Sequence, residues 1–260
     1  MSRTVPPYPT SHNLLAGKTC VVTAAAGTGI GFAAAKRAAE EGATVLISDF
    51  HERRLGEAAD KIAEATGKRP ITAICDVTSE EAVQALRDTA LRELGHVDIL
   101  INNAGLGGTA TVVEMTDAEW HRVIDVTLTS VLRMSRAFLP HMYERKAGAV
   151  VNNASVLGWR AQHGQSHYAA AKAGVMAFTR CSAIEAAEHS VRINAVAPSI
   201  AMHAFLAKVT TDELLAELSA REAFGRPAEV WEIANVMIFL ASDYASYMTG
   251  EIVSVSSQRA

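Results

Sequence analysis

The sequence predicts an α/β fold, a single doubly wound parallel sheet of about seven strands with helices on both faces. Short β-branched runs alternate along the chain with Ala-rich or amphipathic stretches of helical length, a pattern that requires a sheet covered on both sides. At 260 residues, 49% of them hydrophobic, the chain is long enough to bury one large core. No repeat or change of composition marks a second domain. Residues 16–260 are therefore expected as one unit behind a loose, proline-containing leader at 1–15.

The first strand is KTCVVT at 18–23, which breaks into AAAGTGIG at 24–31 and then an Ala-rich helix to about Gly42. Strand, glycine turn and helix present backbone N–H groups and a positive helix end to a phosphate, and glycine lets the phosphate approach closely. The same turn also serves as tight packing in proteins that bind no nucleotide. The second strand, 43–49, ends in Asp49, 18 positions after Gly31. An acid at about 20 residues suits the adenosine ribose hydroxyls and repels a 2′-phosphate, so Asp49 favours NAD over NADP. His51, Arg53 and Arg54 follow it and would reach a 2′-phosphate if the loop turned inward; the preferred reading of HERR is the solvated first turn of the next helix.

A third strand at 71–75 leads to Asp76, and SEEAVQALRDTALREL is an amphipathic helix with Ser79 as its cap. DILI at 98–101 precedes NNAG at 102–105. Residues 116–146 read as mostly helical, with Pro140 expected to kink or divide them. Further strands are expected at 150–153, 191–196 and 251–255, with a helix at 227–241.

Between the fifth and sixth strands lies VVNNASVLGWRAQHGQSHYAAAKAG, which carries the chemistry. Tyr168 and Lys172 stand at i and i+4 and share a helix face. A free phenol titrates near ~10, and a neighbouring cation favours its ionised form. Such a pair can take a proton from an alcohol or return one to a carbonyl oxygen, while Ser155 hydrogen-bonds the same oxygen. No metal is needed, because Ser155 and Tyr168 already cover the developing oxyanion.

Net charge is −4 with no long basic stretch, which speaks against a nucleic-acid partner, and no apolar run reaches the length of a membrane span. The N-terminus lacks the apolar core of a signal peptide, so a cytoplasmic location is expected. Cys20, Cys75 and Cys181 are widely spaced without a CxxC and read as small buried residues of a reducing compartment.

Taken together, the glycine turn, Asp76, NNAG, Ser155 with Tyr168 and Lys172, the NAVAP segment at 194–198 and FLASDYASYMTGEIVSV resemble the short-chain dehydrogenase/reductase family over 18–255. The resemblance implies a Rossmann fold and NAD(P)-dependent interconversion of a secondary alcohol and a ketone. It implies Tyr168 as general acid/base, Lys172 as the residue that lowers its pKa and binds the nicotinamide ribose, and Ser155 as the clamp on the substrate oxygen. Thr23, Gly27, Gly29, Ile30 and Gly31 would hold the pyrophosphate. Asp49 would meet the adenosine ribose, and Asp76 and Val77 would border the adenine. Asn103, Ala104 and Gly105 would pass beneath the cofactor, and Ser199 and Ile200 would approach the carboxamide.

Three departures stand out. The family's T-G-x-x-x-G-x-G has Ala24 after Thr23 here and is one residue longer. The Asn that completes the family's catalytic tetrad appears as Thr127. Ser199 follows Pro198 where Gly is frequent, with His203 a candidate substitute for a missing carboxamide-binding Thr.

For the substrate, Leu157, Trp159 and the apolar segment at about 200–224 that holds His203, in the position of the family's mobile lid, suggest a large hydrophobic alcohol or ketone. The equal alternative is that Trp159 and the lid pack against a partner subunit and Arg160 is solvated. Arg160 and His163 are candidates for anchoring a distant anion such as the phosphates of coenzyme A. The pattern is similar to actinobacterial family members acting on CoA-linked steroid-ring intermediates. The alternatives are a 3-oxoacyl thioester reductase and, in a different class, a catalytically silent nucleotide-binding regulator. The helix near 223–241 and the last strand resemble the family's subunit contacts and imply a homotetramer.

Overall fold

The structure, a computed structural model, describes residues 4–202 and 212–257. Seven strands form one parallel sheet: β1 Thr19–Thr23, β2 Thr44–Asp49, β3 Ile71–Ile74, β4 Ile99–Asn102, β5 Gly148–Asn153, β6 Val191–Pro198 and, last in the chain, β9 Ile252–Val255. Their spatial order is β3-β2-β1-β4-β5-β6-β9. A two-residue strand β7, Ala201–Met202, pairs separately with β8, Ala228–Glu229. The expected α/β sheet, in strand number and covering, is the fold observed.

The helices are α1 Ile30–Glu40, α2 Glu52–Thr66, α3 Glu80–Leu94, α4 Asp117–Ile124, α5 Ser130–Arg145, α6 Ser166–Ala187, α7 Asp212–Arg221 and α8 Val230–Ala241. Local chemistry sets several ends. The Ser79 hydroxyl caps α3 by accepting from Ala82 N, and Thr116 with Glu119 forms a capping box on α4. Gly67 closes α2 in the left-handed region at φ 73°.

The central strands are apolar on both faces because both are covered. On one side Val22, Ile47 and Ile101 pack with Ala34, Ala38, Ile62 and Met237 from α1, α2 and α8. On the other, Val21, Leu46 and Leu100 meet Leu86, Phe138 and Met142 from α3 and α5. The sheet therefore carries a core on each face.

Several expectations are corrected. Of the two outcomes expected at Pro140, division does not occur: α5 runs through it, with Phe138, Leu139 and Met142 buried on either side. The interruption comes earlier, as a π turn at Asp125–Thr129 between α4 and α5. Residues 8–15 of the supposed leader are docked. Tyr8 donates to Glu40 at 2.5 Å, Arg37 donates to the carbonyls of Pro9 and Thr10, and the N–H groups of His12 and Leu14 both donate to Glu41 at 2.9 Å. Leu15 is fully buried. Cys20 and Cys75 are buried as expected, but Cys181 is exposed on α6. No helix among the described residues is long and apolar enough to cross a membrane.

Candidate active site

The strand order reverses between β1 and β4, and most of the candidate residues lie just beyond strand ends, with Tyr168 and Lys172 on α6. In an open parallel sheet the crevice outside the carboxyl ends at such a switch point is the natural ligand site. The glycine turn follows β1, Asp49 ends β2, Asp76 follows β3, Asn103 follows β4, Ser155 follows β5 and Ser199 follows β6.

On the nucleotide side, α1 begins at Ile30 with Gly29 as its N-cap, no side-chain cap and no acid in its first turn. Its first N–H groups are therefore left for another acceptor, unlike those of α3 and α4. A Cβ added at Gly27 or Gly29 would meet nothing within 4 Å, so this face of the turn is open. Gly31 is different: a Cβ there would lie 2.4 Å from both Ala24 O and Asn103 Nδ2, so glycine is required for packing. The longer turn is accommodated by Ala24, which adopts φ 51° without being glycine.

The Thr23 hydroxyl accepts from the N–H groups of Asn103 and Ala104, tying the β1 and β4 loops together. Asp49 accepts from Ala26 N at 3.3 Å and His51 N at 3.0 Å. Burial pushes its carboxyl up, opposed by the Ala26 N–H and by Arg54. Arg53 is turned to Glu57 at 2.6 Å on the exposed face of α2, in keeping with a solvated first turn. Asp76 is exposed and accepts from Thr78 N and its hydroxyl, while Val77 is buried. Ser199 and Ile200 are partly buried beside β9 and β8, with Ser199 N donating to Val255 O and Ile200 O accepting from Ala228 N. These residues fit a dinucleotide, and a bound nicotinamide would supply the hydride acceptor or donor.

The catalytic candidates converge. Gly158 lets the loop after β5 press onto α6, since a Cβ there would stand 2.7 Å from Met176 Cε. Ser155 Oγ accepts from Leu157 N at 3.2 Å and hydrogen-bonds the Tyr168 phenol. The Lys172 ammonium lies 5.6 Å from the Tyr168 ring centroid and donates to Asn153 O at 2.5 Å.

Burial pushes the Tyr168 phenol up to about 12, with only the Ser155 hydrogen bond pulling it down. Burial also brings Lys172 down to about 7. Burial and the Ser155 hydrogen bond are the influences on the phenol, and a protonated phenol is the form that can donate to a ketone oxygen.

Thr127 is fully buried on the π turn, a feature often found at functional sites. Its hydroxyl accepts from Leu106 N at 2.9 Å and donates to Leu106 O at 3.0 Å. It thus positions the 105–106 loop rather than standing against Tyr168. The loop in turn borders Lys172, because a Cβ on Gly105 would lie 3.3 Å from Lys172 Nζ.

On the substrate side, Leu157 is partly buried, whereas Trp159, Arg160 and His163 are exposed. His163 lines a cavity of about 330 Å³ with Ala110, Thr111, Gln165 and Ala169, and that lining includes none of the three catalytic candidates. His203 and most of the first half of the expected lid lie outside the described residues. The far end of the lid is anchored, since Glu222 accepts from Ser257 N and its hydroxyl. Sequence reasoning missed Asn153, whose backbone holds Lys172. Its only signal was a polar residue in the last position of β5.

A parallel sheet with an open glycine turn at its switch point and a Ser–Tyr–Lys cluster beside it defines a dinucleotide-dependent oxidoreductase. The family model described as Enoyl-(Acyl carrier protein) reductase matches residues 24–257. A Mycobacterium tuberculosis protein, (5R,7aS)-5-hydroxy-7a-methyl-1-oxo-2,3,5,6,7,7a-hexahydro-1H-indene-carboxyl-CoA reductase, is 62% identical over 95% of this chain and 95% of its own. The cis-4-hydroxycyclohexanecarboxylate dehydrogenase of Sinomonas cyclohexanicum is 41% identical over 92% and 95%. The crystal structure of a short chain dehydrogenase from Mycobacterium smegmatis superposes with a TM-score of 0.88 at 58% identity, covering 99% of each chain. The chain belongs to the short-chain dehydrogenase/reductase family, and is an NAD(P)-dependent enzyme acting on CH–OH groups.

Proposed function

We propose that this enzyme interconverts a ring ketone and its secondary alcohol on a fused-ring, steroid-derived CoA thioester, with NAD(H) preferred over NADP(H). The observation that carries the substrate is the 62% identity, over almost the whole chain, to a relative named as a reductase of a hydroxy-oxo-hexahydroindene carboxyl-CoA. The protonated Tyr168 suits the reductive direction, donating its proton to the ketone oxygen that Ser155 also holds. The buried Asp49 carboxylate at the tip of β2 supports NAD, because it repels a 2′-phosphate.

A second reading has its own support: the 41% identical relative is named for a free cyclohexane carboxylate. Initial NADH formation from bulky cyclic hydroxyacyl-CoA thioesters, each beside its free acid, separates the two. Faster turnover of the thioester is expected. Equal rates, or a preference for the acid, would remove coenzyme A from the reading.

The working assembly is a homotetramer in the cytoplasm. Exposed apolar side chains on both covered faces of the sheet support it: Leu132 and Ile184 on α5 and α6, and Phe239 on α8 with Tyr244 and Tyr247 just beyond.

A further inference from the structure

Asn153, the last residue of β5, links the catalytic lysine to the nucleotide turn. Its backbone oxygen accepts from Lys172 Nζ at 2.5 Å, and its side-chain Nδ2 donates to Asn103 Oδ1 at 3.0 Å. Asn103 in turn donates through Nδ2 to Thr23 O at 3.2 Å and Ala24 O at 3.1 Å. These bonds fix both amides. Asn103 must point its NH2 at the two carbonyls, so its oxygen faces Asn153, and Asn153 must answer with its own NH2.

The Asn153 Oδ1 is thereby turned the other way, where it is buried and has no hydrogen-bond partner among the described residues. An unmet buried acceptor costs about 1–3 kcal/mol, so a position that retains one calls for a donor from elsewhere. Asn153 stands two residues before Ser155 and one bond from Lys172, at the reacting end of the crevice rather than beside Asp49. The donors that a nicotinamide nucleotide brings to that end are its ribose hydroxyls and its carboxamide NH2.

We propose that Asn153 is a cofactor-binding residue whose Oδ1 accepts a hydrogen bond from the nicotinamide-riboside half of NAD(P). The inference rests on the chain's use of NAD(P) and goes beyond it in assigning this side chain. Asn153 then does two things: it receives the cofactor's reactive half and holds Lys172 and the β4 loop in register with it.

The test is calorimetric titration of the full chain and its Asn153→Leu variant with NAD+, 3-acetylpyridine adenine dinucleotide, ADP-ribose and AMP. An Asn153→Ala variant is titrated alongside, and melting curves establish which variants fold. The expected result is a loss of NAD+ affinity of about tenfold, the weight of one hydrogen bond, with AMP unchanged. If the carboxamide is the donor, ADP-ribose and the acetylpyridine analogue bind variant and wild type alike. If a ribose hydroxyl is the donor, both weaken together with NAD+. Affinity for NAD+ within twofold of wild type overturns the proposal, as does an equal loss for AMP, which would mean that the nucleotide turn itself had shifted. Wild type that bound neither NAD+ nor NADP+ would remove the cofactor assignment, and the proposal with it.

Discussion

Burial holds Lys172 at about 7 against an ordinary 10.5. Between those values the unfolded chain binds more protons than the folded one, so this residue makes stability rise with pH from about 7 to 10.5. Below that window the cost of burying the ammonium is carried in full. Lys172→Met should therefore stabilise the fold most near pH 7 and progressively less toward pH 10, as read by urea titration at several pH values. A variant whose advantage did not shrink with pH would contradict a depressed lysine. The α6 spacing alone placed Tyr168 and Lys172 on one face, but it implied a lowered phenol. Desolvation raises the phenol against the Ser155 hydrogen bond, and desolvation is visible only once the surrounding elements are in place.

Ala24 makes a separate point at the same scale. Its φ of 51° costs an L residue about 1–2 kcal/mol, while glycine's extra freedom in the unfolded chain returns about 0.5–1 kcal/mol. Ala24→Gly should stabilise the protein by roughly 0.5–1 kcal/mol in a denaturant titration. A loss of stability would mean that the methyl group contributes packing that outweighs the strain.

Among the elements, the N-terminal segment departs furthest from its sequence. Prolines and polar residues read as a loose leader, yet Arg37 on α1 and Glu41 at its C-cap form a buried ion pair that also hydrogen-bonds the backbone of 9–14. Tyr8 adds an edge-to-face contact with Trp231 at the start of α8, with ring centroids 5.4 Å apart. Removing one member of such a pair leaves the other charged and unmatched. Arg37→Ala should cost about 3–5 kcal/mol in thermal or urea unfolding. A loss under about 1 kcal/mol would show the pair to be solvated and the segment undocked. The π turn before α5 is likewise absent from the local pattern. In residues 116–146 the sequence puts its one interruption at Pro140, whereas the break falls at Asp125–Thr129, where the Thr127 hydroxyl bonds the Leu106 backbone.

For the whole molecule, the two exposed apolar faces predict four chains in solution, measured by sedimentation equilibrium. Ile184→Asp on α6 should reduce the assembly to two chains while leaving each monomer folded, because the side chain is already exposed within the subunit. A wild type that sediments as one chain would leave these patches without a partner.

The alternation of strands with helices, the glycine turn, the acid at the end of β2 and the Tyr168–Lys172 face were legible in the sequence by itself. Each is written in neighbouring residues, through periodicity of 2 or 3.6 and the backbone demands of glycine. Only the tertiary structure decided the direction of the Tyr168 and Lys172 shifts, the use of the Thr127 hydroxyl, the docking of residues 8–15 and the place of Asn153. All of these depend on partners far away in sequence: Asn103 meets Asn153 across 50 positions and Thr23 across 80. Local pattern specifies which element forms, whereas burial and charge are properties of what other elements bring alongside it.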